Sequence, residues 1–442
     1  MKRIFDEYAY GEGPRAGCWW DETSRAEPRP VVDQSLRTDV AIIGAGFTGL
    51  SAALQLARAG ISATVLEAKN VGWGASGRNG GFCCLGGGIE SDAALDKRFG
   101  VKGRIDFRRT ELAAIQYVES LIGELGIDVD RHSDGETSLA HRSKDMVELI
   151  AAGATIQENY GVDHVLHRKE ELAAVGIAGP FHGALTIKAG FGLNPRKYVN
   201  GLAQAAENAG AQIFEQSAVS ELTRQVDGWE LRVNGHNLRA DQVIVATNGY
   251  SSEDVPEWLA GRYVPGQSNV VVTRPLREDE LAAAGWTTDQ MVYDTRNLLH
   301  YFRLMPDRRF LFGMRGGLLT GPAAEARANK KIRSNFEAMF PAWRDVETTH
   351  RWSGMVCIAR DLLPFVGPVP DAKGLWAAMC YHGNGVAMGS YSGSLLAQLV
   401  RGKMPDGIYP EAIRKPLRKF EFGRWRRAAM PVAYAGLMLA DI

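Results

Sequence analysis

The spacing of three glycines near the amino terminus is the first feature of the chain that could support chemistry. Gly44, Gly46 and Gly49 form a GxGxxG motif that follows the apolar run at 38–43 and opens a helix. In this context Gly44 allows a tight turn, Gly46 lets the backbone approach a pyrophosphate, and Gly49 lets the helix pack closely against the strand. The helix N-terminus attracts phosphates, and Glu67, which ends the next strand, can accept hydrogen bonds from ribose hydroxyls. The pattern predicts a dinucleotide-binding βαβ unit rather than a glycine-rich turn without a ligand.

A glycine-dense loop after this unit separates two classes of cofactor. Residues 72–81 contain five glycines in ten positions, together with Ser76, Arg78 and Asn79. A nicotinamide enzyme does not need such a loop here. A flavoprotein does, because the chain must pass close to the pyrophosphate and the isoalloxazine ring. A flexible surface loop is the alternative, but Trp73 and the apolar residues after the loop favour a packed one, and therefore FAD over NAD.

The elements farther along the chain repeat the theme of strand, glycine turn and helix. Residues 242–247 form another continuous apolar strand, and residues 374–400 predict a strand, a turn and a helix. Residues 262–320 contain β-rich stretches whose turn signals suggest an antiparallel sheet. We therefore predict an α/β fold, in which a Rossmann-like FAD-binding domain carries an inserted α+β substrate domain built on an antiparallel sheet. The predicted segments are an N-terminal arm at 1–37, a discontinuous FAD-binding domain at 38–95, 186–260 and 350–405, a substrate domain at 96–185 and 261–349, and a C-terminal tail at 406–442.

Composition and charge argue against several other classes of protein. The 442 residues include 51 Lys and Arg against 51 Asp and Glu, a balance that argues against a nucleic-acid partner. The five cysteines show no CxxC spacing, so we predict neither a disulfide framework nor a metal site. The long uncharged stretches at 40–57 and 374–400 contain glycines and polar groups that do not suit a lipid-facing helix. We predict no membrane span and, without a signal-peptide pattern, expect a cytoplasmic protein.

The sequence resembles the FAD-dependent oxidoreductases of the D-amino-acid oxidase, glycine oxidase and sarcosine oxidase superfamily. Within that superfamily it looks most like the gamma-glutamylputrescine oxidase subgroup. The matching stretches span nearly the whole chain, and the glycine-dense loop with Arg78 and Asn79 is the most specific of them. The stretches are CWWDETS, DVAIIGAGFTGLSAALQLARAG, VGWGASGRNGG, VIVATNGYS and YHGNGVAMGSYSG.

The resemblance implies how FAD is held, and we expect no covalent link. The turn at 383–386 should point backbone N–H groups at the N1–C2=O edge of the flavin, where negative charge collects on reduction. The backbone of Val219 should contact the adenine, and residues 247–249 should line the cofactor from the other side. The predicted cofactor-binding residues are Gly44, Gly46, Phe47, Thr48, Gly49, Glu67, Ala68, Trp73, Gly74, Ala75, Ser76, Arg78, Asn79, Gly80, Gly81, Val219, Thr247, Asn248, Gly249, Gly354, Gly383, Asn384, Gly385 and Val386.

Candidate substrate-binding residues lie on a predicted strand of the second domain and beside the flavin turn. Strand alternation places Tyr301 and Arg303 on one face. Arg303 could hold a substrate carboxylate through a bidentate pair, or it could form a surface or interdomain salt bridge. His382 could contact the substrate amine or the flavin, or it could be a structural histidine. We take His382, Arg303 and Tyr301 as the candidate catalytic residues.

The predicted function is FAD-dependent oxidation of an amine, with an amino acid, an N-substituted amino acid or a glutamylated amine as the small-molecule partner. A hydride passes from the carbon bearing nitrogen to flavin N5, and the imine hydrolyses. Molecular oxygen, giving hydrogen peroxide, or another electron acceptor then reoxidises the flavin. No dedicated acid–base residue is essential if the amine arrives deprotonated. Two alternatives stay open: a nicotinamide-dependent dehydrogenase that uses the same βαβ unit, and a non-catalytic flavin-binding subunit.

Overall fold

The computed structural model describes residues 1–317 and 319–441. In chain order, the strands are β1 (Leu36–Ile43), β2 (Ala63–Leu66), β3 (Phe82–Cys83), β4 (Glu136–Leu139), β5 (His164–Arg168), β6 (Gly183–Ile187), β7 (Phe191–Gly192), β8 (Gln212–Phe214), β9 (Val219–Gln225), β10 (Gly228–Val233), β11 (His236–Val245), β12 (Tyr263–Thr273), β13 (Met291–Asp294), β14 (His300–Leu304), β15 (Phe310–Arg315), β16 (Thr348–Ala359), β17 (Phe365–Pro368) and β18 (Leu375–Met379). The α-helices are α1 (Trp20–Thr23), α2 (Phe47–Arg58), α3 (Asp92–Leu125), α4 (Asp145–Tyr160), α5 (Pro195–Asn208), α6 (Glu278–Ala284), α7 (Pro322–Met339), α8 (Gly385–Val400), α9 (Glu411–Arg414) and α10 (Met430–Ala440).

The first of two large sheets has the GxGxxG turn at the end of its central strand. Its order is β17-β18-β11-β1-β2-β8, and β10 and β9 continue from β11 in antiparallel pairing. Strand β1 pairs in parallel with β2 and β11, which pair in parallel with β8 and β18. The last four residues of β1 are buried, as expected for a parallel strand that is covered on both faces. The Rossmann-like part of the predicted fold is thereby confirmed.

The second sheet has the order β16-β12-β15-β14-β13-β4-β6-β5. Of its described strand pairs, only β4 with β13 runs parallel, and the others are antiparallel. This is the antiparallel sheet predicted for the inserted domain, so the fold class is confirmed. Strand β16, however, pairs along its length with β12. We therefore propose that the domain boundary predicted at residue 350 lies after residue 359 instead.

Three helices, α2, α5 and α8, pack on the first sheet, and α3 packs on α5 and α8. Helices α2, α3, α5 and α8 contribute their apolar side chains to one large buried cluster together with β1 and β2. Helix α8 approaches α2 closely, because a Cβ at Gly393 would lie only 2.3 Å from the Thr48 carbonyl oxygen. The first turn of α2 is therefore held against the middle of α8.

The described residues contain neither a membrane-spanning helix nor a cluster of potential metal ligands. Within residues 1–317 and 319–441, no helix is long and apolar enough to cross a membrane. In the same part of the chain, no group of three or more His, Cys, Asp or Glu side chains could hold a metal ion.

Candidate active site

A cavity of about 420 Å³ lies between the carboxyl ends of strands β1, β2 and β11 and the second sheet. One wall consists of the β1–α2 turn, the glycine-dense loop and the start of α8, and the other consists of strands of the second sheet. Its volume lies within the range of roughly 300–1,000 Å³ that is typical of small-molecule sites. The topology therefore places the predicted cofactor elements and the second sheet around one space.

Most of the predicted cofactor-binding residues line this cavity, and so does the predicted catalytic residue Tyr301. The cofactor-binding candidates in its wall are Gly44, Gly46, Phe47, Thr48, Glu67, Ala68, Trp73, Gly74, Ala75, Ser76, Arg78, Asn79, Gly80, Val219, Thr247, Asn248, Gly354, Gly383, Asn384, Gly385 and Val386.

Three glycines of the predicted set lie behind the cavity wall: Gly49, Gly81 and Gly249. A Cβ at Gly49 would lie 2.0 Å from the Gly44 carbonyl oxygen, and one at Gly81 would lie 2.1 Å from the Leu193 carbonyl oxygen. Gly249 packs less tightly against the backbone of β16. Close backbone packing, rather than contact with a ligand, requires glycine at the first two positions.

Two long helices begin at the cavity. Helix α2 follows Gly46 and α8 follows Asn384, and neither of these preceding residues caps its helix with a side-chain hydrogen bond. The hydroxyls of Thr48 and Tyr381, 2.9 Å apart, connect the first turn of α2 to the residues just before α8. The Phe47 N–H at the start of α2 donates to Ser76 Oγ at 2.9 Å. The partial positive charge at both helix starts suits phosphate and carbonyl oxygens.

Glu67 is fixed at the end of β2 by the backbone around it. Its Oε2 accepts a hydrogen bond from the Ala45 N–H and its Oε1 accepts one from the Lys69 N–H, each at 2.9 Å. Burial raises the pKa of the Glu67 carboxyl, while these backbone donors favour its charged form. Each carboxylate oxygen keeps a further lone pair, so Glu67 can still accept hydrogen bonds from a ligand hydroxyl.

Arg78 ties the glycine-dense loop to the cavity wall. Its Nε donates to the Trp73 carbonyl at 2.8 Å and its Nη1 to the Ser353 carbonyl at 3.2 Å. Its buried Nη2 has no hydrogen-bond partner among the residues that the structure describes. Because an unsatisfied buried donor is costly, an Nη2 at this wall suits a ligand rich in acceptors. The residues present therefore fit a dinucleotide with its diphosphate.

The opposite wall is a row of side chains on one face of the second sheet. Tyr293 of β13 pairs with Tyr301 of β14, and Tyr301 pairs with Gly313 of β15. Arg315, two residues farther along β15, pairs with Ser268 of β12. Paired positions and positions two apart share a face, and all four side chains line the cavity. A Cβ at Gly313 would lie 2.0 Å from the Tyr301 ring, so glycine leaves the room that this ring needs.

Two ionisable side chains of this wall, Arg315 and Glu136, have no partner of opposite charge among the described residues. The half-buried Arg315 donates from Nη2 to Asn384 Oδ1 at 3.3 Å. The buried Glu136 of β4 accepts hydrogen bonds from the Tyr293 hydroxyl at 2.7 Å and from the Leu85 N–H at 2.8 Å. Neither forms an ion pair within the described part of the chain. Burial lowers the pKa of Arg315 and raises the pKa of Glu136 to about 7.

The position of Arg303 contradicts its predicted role in binding a substrate carboxylate. The side chain is fully buried outside the cavity, and it lines a separate space of about 100 Å³. Its guanidinium donates to the carbonyls of Gly81 at 2.9 Å and Leu193 at 2.8 Å, and to His132 Nε2 at 3.1 Å. Burial lowers the pKa of Arg303 to about 9 and, with this cation beside it, the pKa of His132 to about 3. Arg303 therefore fastens the end of the glycine-dense loop.

His382 also lies outside the cavity, so we propose a structural role for it in place of the predicted catalytic one. The ring is buried and does not line the cavity. Nδ1 lies 2.9 Å from the Gly87 carbonyl, and Nε2 accepts the Ala359 N–H at 3.1 Å. Burial lowers the pKa of His382 to about 4, so the ring is neutral with both nitrogens engaged. Tyr301 remains a candidate catalytic residue, because its side chain lines the cavity. Its hydroxyl lies 2.9 Å from Ser268 Oγ in the same wall.

Sequence reasoning missed four polar residues of this wall: Arg315, Glu136, Tyr293 and Ser268. The signal that could have found Arg315 is the alternation that identified Tyr301, carried across the hairpin from β14 to β15. Glu136 has no comparable signal, because its short strand pairs with β13 and β6 far along the chain.

Comparison with known proteins identifies the family. A model of the DAO family, described as FAD dependent oxidoreductase, matches residues 39–399. The chain belongs to this family. A "Probable oxidoreductase OrdL" of Rhizobium meliloti (strain 1021) is 31% identical to it, over 96% of this chain and 97% of that protein. The gamma-glutamylputrescine oxidoreductase of Escherichia coli (strain K12) is 29% identical, over 85% of this chain and 86% of that protein.

The fold has a solved counterpart. The crystal structure of glycine oxidase from Geobacillus kaustophilus superposes with a TM-score of 0.73 at 21% identity, covering 87% of this chain and 100% of that one. At this identity the likeness shows the fold alone. Membership of the DAO family confirms FAD as the cofactor and the assignment to the oxidoreductases, so the nicotinamide-dependent alternative is wrong.

Proposed function

We propose that this FAD-dependent oxidoreductase oxidises a primary or secondary amine that also carries a carboxylate, as an amino acid, an N-substituted amino acid or a glutamylated amine does. Relatives named as gamma-glutamylputrescine oxidoreductase and glycine oxidase support this class of substrate. When bound, FAD supplies the acceptor for the hydride that leaves the carbon bearing nitrogen. The imine product hydrolyses to a carbonyl compound and an amine or ammonia, and oxygen is the final electron acceptor.

The first wall of the cavity is the proposed FAD site. The start of α2 holds the diphosphate, Glu67 accepts the ribose hydroxyls, and Arg78 supplies a donor from the glycine-dense loop. The start of α8, after Asn384, offers its N–H groups to the edge of the flavin ring. Gly46 must stay without a side chain because its Cβ would lie 2.8 Å from Ser76 Oγ, in the narrow space between turn and loop.

The observation that carries the proposed substrate class is Arg315. It takes the role that the sequence suggested for Arg303, because it lines the cavity and has no carboxylate partner within the described residues. A guanidinium in a partly buried wall binds a carboxylate through a charge-assisted pair. Tyr301 and Ser268, which lie beside it on the same sheet face, add hydroxyl groups to the same part of the cavity.

An anaerobic screen tests the proposed function. The purified holoenzyme is mixed with amino acids, N-methyl amino acids and glutamylated amines, and the visible absorbance of the flavin is followed. We expect at least one carboxylate-bearing amine to bleach the flavin, and admission of air to restore the colour with formation of hydrogen peroxide. A flavin that no amine bleaches would overturn the proposal. Recovery of colour without peroxide would overturn the assignment of oxygen as the acceptor.

A further inference from the structure

Glu136 occupies an unusual position for a buried carboxyl. It is 3% exposed, yet it lines the cavity on the same wall as Arg315. Its two hydrogen bonds, from the Tyr293 hydroxyl and the Leu85 N–H, go to different carboxylate oxygens. Because each oxygen can accept a further hydrogen bond, the group can still receive a donor from the cavity.

A buried carboxylate without a counter-cation is costly, and Glu136 has none among the described residues. No Lys, Arg or His of the described residues lies within ion-pair distance of Glu136. By contrast, the nearby buried Glu111 forms an ion pair with Arg108 and accepts a hydrogen bond from the Tyr160 hydroxyl. Burying a charge costs several kcal/mol or more unless a partner compensates it. A cation that enters the cavity would compensate the ionised form of Glu136.

The groups around Glu136 keep it ready to accept either a cation or a proton. Tyr293 donates to it from β13, while the negative charge of Glu111 on α3 opposes its ionisation. The Cys84 thiol also lies close enough to interact electrostatically with both Glu136 and Arg315. Burial, the largest effect, raises the pKa of Glu136 to about 7. The carboxyl is therefore half ionised near neutral pH.

We propose that Glu136 receives the ammonium group of the amine substrate, and that its carboxylate takes the proton which the nitrogen must lose before oxidation. The proposal rests on the function proposed above. The N–H bond breaks, an O–H bond forms on Glu136, and the electron pair stays on nitrogen, so the step needs no oxidant or co-reactant. With Arg315 on the carboxylate and Glu136 on the amine, these two charges of the second-sheet wall, neither of which forms an ion pair among the described residues, match the two charges of a zwitterionic substrate.

The test compares the wild-type holoenzyme with Glu136→Gln in anaerobic flavin reduction from pH 6 to pH 10. In the wild type, the second-order rate of reduction should rise with pH through about 7, where Glu136 becomes able to accept a proton. In Glu136→Gln this rise should vanish and be replaced by one near the pKa of the substrate amine, about 10. At pH 8 only about 1% of such an amine is neutral, so the variant should be about 100-fold slower.

Two further variants test whether the rise in rate with pH reports the ionisation of Glu136. Tyr293→Phe removes a hydrogen bond that favours the ionised carboxyl, so the rise should move to higher pH. Glu111→Gln removes a nearby negative charge outside the cavity, so the rise should persist and move to lower pH. Flavin content and Tm report whether each variant is folded. A rise near pH 7 that survives in Glu136→Gln would overturn the proposal, as would shifts opposite to these in the other two variants.

A pair of ligands without an N–H bond tests the cation site apart from turnover. Glycine betaine carries a permanent cation beside its carboxylate, and 3,3-dimethylbutyrate has the same shape without the cation. Titrations followed by the flavin spectrum give a Kd for each ligand. In wild type at pH 8, the Kd for betaine should be lower than that for 3,3-dimethylbutyrate by about tenfold or more, and in Glu136→Gln the two values should be similar. No preference in the wild type, or the same preference in the variant, would overturn the cation site. If no amine bleaches wild-type flavin, the proposed function fails instead.

Discussion

Replacing Arg315 by methionine should slow the oxidation of carboxylate-bearing amines and spare amines that lack a carboxylate. The guanidinium lines the cavity and donates one long hydrogen bond, at 3.3 Å, to Asn384 Oδ1. Since no described carboxylate pairs with Arg315, a bound substrate carboxylate would be its counter-ion. Methionine keeps much of the side-chain length and removes the charge and every donor.

The expected magnitude follows from the burial of the site. Removing one partner of a buried, hydrogen-bonded charge pair costs about 2–5 kcal/mol. Arg315 is only half-buried, so solvent screening places the loss in the lower part of that range, about 2–3.5 kcal/mol. At 1.4 kcal/mol for each factor of ten, kcat/KM should fall by roughly 30- to 300-fold. Arg315→Lys keeps the charge but loses the planar fork, so its loss should be smaller.

The assay compares an amino acid that bleaches the flavin with its carboxamide, which has the same amine and no carboxylate charge. Anaerobic stopped-flow absorbance gives the rate of flavin reduction for wild type, Arg315→Lys and Arg315→Met. The reasoning predicts a large loss for the amino acid and almost none for the carboxamide. An equal loss for both substrates would show that Arg315 supports the fold or the flavin instead. No loss for either would show that another group binds the carboxylate.

Three other predictions concern the cofactor wall and its support. Gly46→Val should abolish FAD binding, because even its Cβ would lie 2.8 Å from Ser76 Oγ; titration of the apoprotein with FAD measures this. By the same titration, Glu67→Gln should weaken FAD binding by about tenfold or somewhat more, since a hydrogen bond to a charged group contributes roughly 1.5–3 kcal/mol. Full retention of flavin in both would contradict the proposed site. Arg303→Met should lower Tm, because the carbonyls of Gly81 and Leu193 lose their buried donor, while KM for the amine stays unchanged; a raised KM with an unchanged Tm would contradict this.

The cofactor wall could be predicted because local sequence encodes it. Gly44 and Gly46 lie in the turn between β1 and α2, Gly49 lies in the first turn of α2, and Glu67 directly follows β2. Their roles depend on backbone geometry and on short-range order, both of which a spacing motif records. The resemblance added the turn before α8, which the fold brings to the same cavity through the packing of α8 against α2.

The substrate wall could not be predicted in the same way, because pairing between distant strands assembles it. Glu136 enters the wall through the parallel pairing of β4 with β13, in which it lies opposite Met291. Nothing within the four residues of β4 distinguishes a carboxyl that faces a cavity from one that faces solvent. The decisive facts are its burial and the lack of a counter-ion, and these exist only after the chain is folded.

The different positions of Arg303 and Arg315 show where strand alternation stops being informative. Arg303 pairs with Leu311, and Arg315 lies four residues farther along β15, so both arginines share one face of the sheet about 13 Å apart. Alternation selects that face correctly but is silent about position along it. The segments that cover the sheet determine which arginine a ligand can reach. The carbonyls of Gly81 and Leu193 cover Arg303, whereas Arg315 faces the open cavity. The guanidinium of Arg303 consequently donates to backbone carbonyls and holds two segments together, whereas the guanidinium of Arg315 remains available to a ligand.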